Sequence, residues 1–505
     1  MRGWSAERVI EKVEGTTISA LTDYEVEDVI RVTGGQLTQE DWVELRKMWT
    51  IGFHLILDNG QIEIPDMALS TNGMVPSPII TIAGAQVVRI GNLAFANNNY
   101  LTSVDFPALK SISEMAFFSC LSLQEFELPK SVETFGDGVF ALCKKLQAIN
   151  VADGSERYKS VDGILYSADG NTLIAYPAGR MQREYVSDAQ NIRPFSFYGA
   201  ENLVRVSFTA AERIGNGTFI MCEFLGNVEL PDGLKSIGHG AFDSCLSLAA
   251  ITLPSSLEWI GDGAFSYCER LSSITVQENC VYYKSIDGVL YSMDGEIIFA
   301  YPAGKSNSYY TSDAKEVRPY AFMYAGNLQE ISLPYTALIG EGAFAWCISL
   351  STALLPRADS FGNGAFAWCN SLKLMMLNNQ PPAIEPKTFT SDETSLLIVA
   401  PREETEYNLE GWPTGVKLAS LRGATLGPVT VKQGEKLTIA LDIEGATDYR
   451  WKIGDVAISG ADGVVYEKAE AELSDSGTYG VTFKYDMGSG PVDFEINGIE
   501  VIVVQ

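Results

Sequence analysis

The chain has 505 residues, 46% apolar and 20% charged, a balance typical of folded proteins and sufficient for about two to four domains. Asp and Glu number 64 against 36 Lys and Arg, so the formal charge is -28. This charge repels phosphate backbones and anionic membranes, which excludes nucleic acid as a predicted partner. Because no window has 18 consecutive apolar residues and the first residues lack a signal-peptide core, we also expect no membrane insertion of this chain.

Residues 1–82 have a local pattern of their own. VIRVTG is strand-like, and Thr38 followed by Asp41 predicts the start of an amphipathic helix. Its apolar residues are Trp42, Leu45, Met48 and Trp49. FHLILDNGQIEI then predicts a strand, an Asn-Gly turn and a strand. We interpret residues 1–82 as an N-terminal α+β cap, because the end of a stack of repeats needs a cover.

One unit recurs from about residue 90 to residue 390, with the pattern I-G-x-x-A-F-x-x-C-x-x-L-x-x-I-x-L-P. Its phenylalanine falls at Phe95, Phe117, Phe140, Phe197, Phe219, Phe242, Phe265, Phe322, Phe344, Phe366 and Phe389. The steps are 22 or 23 residues, except for two of 57. So short a unit cannot bury its apolar side chains without a neighbour on each face, which predicts a continuous solenoid of roughly eleven coils over residues 83–420.

The two long steps contain insertions of one kind, at about 153–190 and 278–315. Their sequences are YKSVDGILYSADGNTLIAYPAGR and YKSIDGVLYSMDGEIIFAYPAGK. Each predicts a hairpin, with its turn at Asp169–Gly170 or Asp294–Gly295 and a returning strand that ends at Tyr-Pro. The two insertions lie 125 residues apart, as do the coils around them, so the middle of the chain is a duplication.

A closing segment follows the last coil and reads PPAIEPKTF...LLIVAPREETEYNLEGW. Together with the repeat and the insertions, it resembles the BspA-like leucine-rich repeat proteins of Bacteroides-type bacteria over residues 83–420. The resemblance implies a leucine-rich-repeat solenoid, mainly β with short helical turns. It implies an exported protein, on the cell surface by an outer-membrane anchor or secreted, whose export signal is absent from this chain. It also implies adhesion or ligand binding, but it names no ligand, because the shared residues are those that build the coil.

We call the repeated phenylalanine the marker phenylalanine, and the position three residues after it the ladder position. Seven of the eight cysteines occupy the ladder position: Cys120, Cys143, Cys222, Cys245, Cys268, Cys347 and Cys369. Asn98, Ala200 and Ala325 take this position in other coils, which indicates a small inward-facing side chain. One thiol per coil and no C-x-x-C pair predict no metal site and no cofactor. Adjacent coils could form disulfides, but seven thiols in a row cannot all pair, so we predict reduced cysteines, with Cys280 an isolated thiol.

The composition changes from about Leu421. TLGPVTVKQGEKLTIALDIEGATDYRWKIGD alternates as strands do, and LSDSGTYGV resembles the D-x-G-x-Y corner of immunoglobulin-like domains. Trp451 suits the core tryptophan of their third strand. Val481 stands where antibody domains have their second cysteine, so packing alone must stabilise this domain. Residues 421–505 are therefore predicted to form an immunoglobulin-like β-sandwich.

The residues indicate no catalytic chemistry, and we predict that the protein is not an enzyme. Its two histidines, His54 and His239, have no recognisable Ser or Cys partner, and His239 occupies a variable position that we expect to be exposed. Walker, Rossmann and H-E-x-x-H patterns are absent. The carboxylate pairs Asp162/Asp169 and Asp287/Asp294 are interpreted as structural Asp-Gly turns, with calcium binding as the alternative.

The position before each ladder residue changes along the chain, from Asn97, Ser119, Leu142, Gly199, Met221 and Ser244 to the aromatic Tyr267, Tyr324, Trp346 and Trp368. Stacked at coil spacing, these four aromatics, here called the aromatic stripe, could lie against sugar rings or apolar peptide side chains. The alternative is that they pack beneath the second insertion or the C-terminal segment. Leu354, Leu374 and Met376 form an apolar patch that is either a ligand surface or the seat of the closing segment and the C-terminal domain.

The predicted function is that of a non-enzymatic cell-surface or secreted binding or adhesion protein. Its repeat surface would present the aromatic stripe, with the apolar patch, to a protein or glycan ligand. The alternative is a structural spacer on the bacterial surface without a ligand of its own. An enzyme would instead need a deep pocket with convergent polar groups. The sequence specifies neither the ligand nor an oligomeric state.

Overall fold

The computed structural model describes residues 7–19, 28–48, 52–71, 79–378, 380–385, 387–389, 395–401, 412–425, 428–488 and 490–505. Trp49 and residues 402–411 of the closing segment lie outside these ranges. The chain divides into two compact units, Met1–Phe265 with Gln277–Cys280, and Ser266–Val276 with Val281–Gln505. Within the described residues both units consist mainly of short β-strands, with very little helix, stacked as the coils of a β-solenoid.

The N-terminal elements are β1 Glu7–Lys12, β2 Val29–Gly34, α1 Gln39–Arg46, β3 Phe53–Asp58 and β4 Glu63–Ile64. The predicted helix is present, and Thr38 is its N-cap in a capping box with Asp41. The two strands predicted around the Asn-Gly turn are also present, but they do not pair with each other. β3 pairs in parallel with β2, whereas β4 belongs to a second sheet. This segment already follows the path of a coil.

A buried ion pair holds the helix against β1. Lys12 Nζ lies 2.6 Å from Asp41 Oδ2, and both side chains are buried. The Asp41 carboxylate also accepts the backbone N–H groups of Ile18 at 2.8 Å and Thr38 at 2.7 Å. Burial raises the pKa of Asp41, but the bonds from Lys12 and the two backbone donors outweigh it, so this pKa lies below its ordinary value. Loss of either partner would leave a buried charge.

Outside the insertion, the later coils of the first unit alternate a longer strand with a two-residue strand. Their bounds are β5 Ile79–Ala83, β6 Arg89–Ile90, β7 Ser103–Asp105, β8 Ser111–Ile112, β9 Glu125–Leu128, β10 Thr134–Phe135, β11 Ala148–Val151, β12 Tyr158–Val161, β13 Ile164–Ser167, β14 Thr172–Ala175, β15 Glu184–Ser187, β16 Asn191–Ile192, β17 Arg205–Phe208, β18 Arg213–Ile214, β19 Asn227–Glu229, β20 Ser236–Ile237, β21 Ala250–Leu253 and β22 Trp259–Ile260. Longer strands pair in parallel as β1-β2-β3-β5-β7, β9-β11 and β15-β17-β19. Short strands pair as β4-β6-β8-β10 and β14-β16-β18-β20-β22.

The second unit repeats this plan and ends in longer strands. Its bounds are β23 Ser273–Val276, β24 Tyr283–Ile286, β25 Val289–Ser292, β26 Ile297–Ala300, β27 Tyr309–Thr311, β28 Glu316–Val317, β29 Glu330–Ser332, β30 Leu338–Ile339, β31 Thr352–Leu354, β32 Ser360–Phe361, β33 Leu374–Met376, β34 Ala383–Ile384, β35 Leu397–Ala400, β36 Lys417–Ala424, β37 Val429–Lys432, β38 Leu437–Ile443, β39 Thr447–Ile453, β40 Val456–Ala457, β41 Val465–Lys468, β42 Gly477–Asp486 and β43 Pro491–Val504. The sheets are β24-β25-β26-β28-β30-β32-β34, β27-β29-β31-β33-β35-β36-β38-β41 and β37-β43-β42-β39-β40.

Each insertion has three antiparallel strands, one more than the predicted hairpin. In the first, β13 pairs with both β12 and β14, and the predicted turn at Asp169–Gly170 joins β13 to β14. The additional turn is at Asp162–Gly163, with φ of +50° and +78°, the signature of a type I′ hairpin turn. Asp287 and Gly288 repeat it at +49° and +79°. These aspartates are therefore turn residues.

The marker phenylalanines form stacks within each unit. Phe219 lies 4.8 Å from Phe197 and 5.2 Å from Phe242 between ring centroids, with ring planes within 28°. In the second unit, Phe344 lies 4.9 Å from Phe322 and 5.2 Å from Phe366. The backbone follows the rings. The N–H of Phe219 donates to the carbonyl of Ala241 in the next coil at 2.8 Å, and the N–H of Phe344 donates to that of Ala365 at 2.8 Å.

A tyrosine covers the first marker ring after each interruption of the repeat. The tyrosine of each Tyr-Pro pair stacks on the next marker ring: Tyr176 on Phe197 at 4.8 Å, and Tyr301 on Phe322 at 4.7 Å. Each step of 57 residues is therefore one long coil followed by one ordinary coil. The spacing in the sequence already indicates this additional coil, because Tyr176 and Tyr301 both precede the next marker phenylalanine by 21 residues.

The ladder cysteines bond to the coil before them. Cys120 Sγ donates to the carbonyl of Phe95 at 3.2 Å, and Cys222 Sγ donates to that of Phe197 at 3.1 Å. Asn98 makes an equivalent bond, from Nδ2 to the carbonyl of Leu69 in the coil before it, at 2.8 Å. This shared donation explains why Asn and Cys exchange at the position. All eight cysteines are free thiols, and only Cys369 is not fully buried.

The last strands enclose a core between two sheets. Trp451 is fully buried, and its Nε1 donates to the carbonyl of Gly463 at 2.8 Å. Tyr479 Oη donates to the carbonyl of Asp475, four residues upstream, at 3.1 Å. Val481, at the position of the missing cysteine, is also fully buried.

One strand belongs to both the coils and this C-terminal region. β36 pairs in parallel with β35 through Lys417–Ser420, and then antiparallel with β38 from Leu421 onward. The domain boundary predicted at residue 421 thus falls inside a strand. The coil sheet and the C-terminal sheet are therefore one sheet of eight strands.

Truncation of one stacked ring should destabilise the first unit. Phe219→Ala removes a side chain with 0% exposure from the middle of a stack, and we expect a loss of about 3 to 5 kcal/mol in the free energy of unfolding. Phe224→Ala is the matched control, because Phe224 lies in the same coil and is 59% exposed. Its effect in denaturant titration should stay within about 0.5 kcal/mol. Equal losses in the two variants would contradict the assignment.

The buried thiols should resist modification. Burial raises the pKa of Cys222 to about 12, and it raises those of Cys120 and Cys347 as well, so little thiolate forms at pH 8. Native protein treated with iodoacetamide should react first at Cys369, and all eight cysteines should react after denaturation without reductant. A mass-spectrometric count below about six free thiols would show that disulfides form.

Candidate functional site

The aromatic stripe occupies a strained backbone position. Tyr267, Tyr324, Trp346 and Trp368 have φ of +59°, +67°, +62° and +61°. Asn97, Ser119, Leu142, Gly199, Met221 and Ser244 have the same left-handed conformation in the earlier coils. The conformation turns the backbone N–H toward the following coil, where Trp346 donates to the carbonyl of Ala367 at 2.8 Å. The coil therefore requires this backbone conformation, whatever side chain it carries.

The four rings form one continuous row on the second unit. Tyr267 and Tyr324 are in contact, with their hydroxyls 2.8 Å apart. The centroids of Tyr324 and Trp346 are 5.9 Å apart, and those of Trp346 and Trp368 are 4.9 Å apart, with planes at 17° in the second pair. Trp368 is 45% exposed, and the other three are half-buried. The row is thus neither covered nor part of the core.

The energies show why this row needs an explanation beyond folding. A left-handed conformation costs an L-residue about 1 to 2 kcal/mol, and glycine avoids that cost. A stacked aromatic pair returns about 0.5 to 1.5 kcal/mol. Every residue other than glycine bears this cost, as Leu142 and Met221 do in earlier coils, so the coil itself does not require aromatic residues at this position. Bulky residues in strained conformations occur preferentially at functional sites.

The predicted apolar patch is not part of this site. Leu354, Leu374 and Met376 are 2%, 1% and 0% exposed, and they share a core with Trp451 and Val481. The prediction that these three residues form a ligand surface is therefore wrong. The C-terminal strands cover the outward face of β31 and β33, in agreement with the alternative that the patch is the seat of the C-terminal domain.

The histidines are separate from the stripe in sequence and in environment. His54 Nδ1 lies 2.8 Å from the Thr81 hydroxyl on the neighbouring strand. The side chain of His239 is 53% exposed, as predicted, and its ring lies edge-on to Trp259 at 5.2 Å. Its Nδ1 accepts the backbone N–H of Asp262 at 2.9 Å. These are structural contacts between adjacent coils.

The residues that the structure describes contain no group of three or more His, Cys, Asp or Glu side chains placed to hold a metal ion. Among the helices in these ranges, none is both long and apolar enough to span a bilayer.

Comparison with protein families gives a match along most of the coils. The model of the BspA type leucine-rich repeat region matches in six copies, over residues 77–161, 190–287 and 314–407, which together exceed half of the chain. No curated protein matches the chain.

Solved structures of bacterial repeat proteins are similar at low identity. The pneumococcal vaccine antigen PcpA is 18% identical, with a TM-score of 0.44 over 75% of this chain and 77% of that one. A leucine-rich cell surface protein from Faecalibacterium prausnitzii A2-165 is 21% identical, with a TM-score of 0.41 over 68% and 81%. A leucine-rich repeat protein from Bacteroides ovatus ATCC 8483 is 19% identical, with a TM-score of 0.35 over 83% and 91%.

The strain at the stripe can be measured by paired substitutions. At Trp368, glycine relieves the left-handed conformation and alanine does not, so Trp368→Gly should be more stable than Trp368→Ala by about 1 kcal/mol. Asn370, which is exposed and outside the left-handed region, is the control position. There, glycine should be no more stable than alanine, because it loses more chain entropy on folding. If urea titrations showed the glycine variant to be the more stable one at both positions, the left-handed strain at Trp368 would be contradicted.

Proposed function

This chain belongs to the BspA type leucine-rich repeat family, and we propose that it is a non-enzymatic binding or adhesion protein. Its ligand is a protein or a glycan, and its ligand surface is the aromatic stripe. The observation that carries this proposal is the run of four aromatic residues, half-buried or more exposed, at a left-handed position where earlier coils have small or aliphatic residues. Aromatic side chains supply large contact area at low entropic cost, which suits either class of ligand.

We also propose cellular and domain assignments that go with this function. The protein acts at the bacterial cell surface, through an outer-membrane anchor, or after secretion, as its family membership suggests. Residues 1–82 act as the N-terminal cap, which the parallel pairing of β1, β2 and β3 with β5 supports. Residues 421–505 are an immunoglobulin-like sandwich, and support comes from buried Trp451 and from the bond of Tyr479 to the Asp475 carbonyl.

The test begins with a screen of the intact chain against immobilised glycans and extracellular matrix proteins. For any ligand that it retains, Trp346→Ala and Trp368→Ala should each weaken binding by about 1 to 3 kcal/mol, measured as Kd by surface plasmon resonance. The melting temperature should change little, since neither ring belongs to the phenylalanine stack.

Trp259→Ala is the matched control, because Trp259 is a comparably exposed tryptophan, at 44%, in the first unit. Its Kd should equal that of the parent chain. Equal binding by all three variants would refute the stripe as the ligand surface. Equal weakening by all three would indicate nonspecific adsorption to exposed indole rings.

A structural spacer is the second candidate function. The shared strand β36 favours it, since a continuous sheet stiffens the joint between the coils and the C-terminal region. A spacer without a ligand of its own would retain nothing in the screen.

A further inference from the structure

Three neighbouring coil strands present a row of polar side chains to the C-terminal strands. Tyr309, Glu330 and Thr352 are register partners across β27, β29 and β31. Tyr309 Oη donates to the carbonyl of Gly498 at 2.9 Å, and Thr352 Oγ1 donates to that of Glu495 at 3.3 Å. Glu330, between them, is only 4% exposed. The joint therefore encloses a carboxyl group in its centre.

The hydrogen bonds of this carboxyl come from uncharged donors. The backbone N–H of Asn497 lies 2.9 Å from each carboxyl oxygen of Glu330, and Asn497 Nδ2 lies 3.3 Å from one of them. Glu330 thus ties β29 to β43 across 167 residues of sequence. Neutral donors stabilise a buried negative charge less than an ammonium or guanidinium group does.

Glu330 has no counterion of its own among the residues that the structure describes. Lys452, on β39, bonds to Glu495 on β43, so two carboxyls face one ammonium. Burial raises the pKa of Glu330, and Glu495 adds to this. The bonds from Asn497 and the charge of Lys452 oppose them, and the resulting pKa is about 8.

The other titratable groups at the joint, within the described part of the chain, do not supply a positive charge. Burial raises the pKa of Tyr309 to about 12, so its phenol stays neutral, and Glu500 adds negative potential there. The remaining titratable groups that line the joint are Asp455, on the turn between β39 and β40, and Tyr479, on β42. Glu330, Glu495 and Lys452 also line a cavity of about 370 Å³, which is large enough to hold water. A proton can therefore reach the joint from solvent.

We propose that Glu330 is a proton-dependent latch between the coils and the C-terminal strands, closed when its carboxyl is neutral and weakened when it is ionised. In the closed joint the carboxyl keeps its proton up to about pH 8, whereas after opening it ionises near its ordinary pKa of 4.5. At any pH between 4.5 and about 8, opening of the joint therefore releases one proton from Glu330. The contribution of the Glu330 carboxyl to the stability of the closed joint is complete below pH 4.5 and is lost as the pH rises through 8.

Opening would have a consequence at the neighbouring strands. Leu354, Leu374 and Met376 lie on β31 and β33 beside this polar row, and the same C-terminal strands cover them. Alkaline conditions would therefore make transient exposure of this apolar face more frequent.

The test uses the full chain and hydrogen exchange of peptides from Pro491–Val504, read by mass spectrometry from pH 5.5 to 9 and corrected for intrinsic exchange rates. In the parent chain, the equilibrium constant for opening should rise by about tenfold per pH unit up to pH 8, because one proton is released. Glu330→Gln retains the shape of the side chain without titrating, and its protection should be independent of pH over this range. Glu467→Gln, at an exposed carboxyl on β41, is the control and should behave as the parent does.

Two outcomes would overturn the latch: equal pH profiles for the parent and Glu330→Gln, or a flat profile in the parent. If Glu330→Gln does not fold, Glu330→Thr replaces it, since Thr352 already fills this register position on the next strand. That variant should likewise show no pH dependence.

Discussion

The structure depends on one constraint, which is that no coil can bury its own phenylalanine. A unit of 22 or 23 residues has too little side-chain volume to enclose an aromatic ring, so each ring is covered by the rings of the coils beside it. Within a unit, the ring spacing of about 5 Å matches the spacing of hydrogen-bonded strands. Backbone and side chains therefore repeat together, and after each interruption another aromatic residue, Tyr176 or Tyr301, stacks on the next marker ring.

The same constraint determines what each position of the coil can vary. The ladder residue needs a small donor for the carbonyl of the preceding coil, and Cys and Asn both meet this need. The residue before it must be left-handed, but its side chain points away from the stack and is free to change. A binding surface can therefore develop at this position without damage to the core, which is where Trp346 and Trp368 stand.

The C-terminal region uses the coils as part of its own core. β36 leaves the coil stack and enters the C-terminal sheet without a break, and the outward side chains of β31, β33 and β35 pack with Trp451. Along this face the side chains change from polar, at Glu330 and Thr352, to apolar, at Leu374. The polar end of the joint contains the titrating group, and the apolar end contributes the packing energy.

The sequence by itself determined the coil, its register, the insertions and the inward cysteines, because these features rest on contacts between positions one period apart. It also placed the turn residues, since Asp-Gly has a strong local preference. The burial of Leu354, Leu374 and Met376, and the enclosure of Glu330, were decided only by the tertiary structure. An outward strand position is exposed or buried according to what covers it, and the cover of Glu330 comes from Asn497, 167 residues away. No local periodicity records so distant a contact.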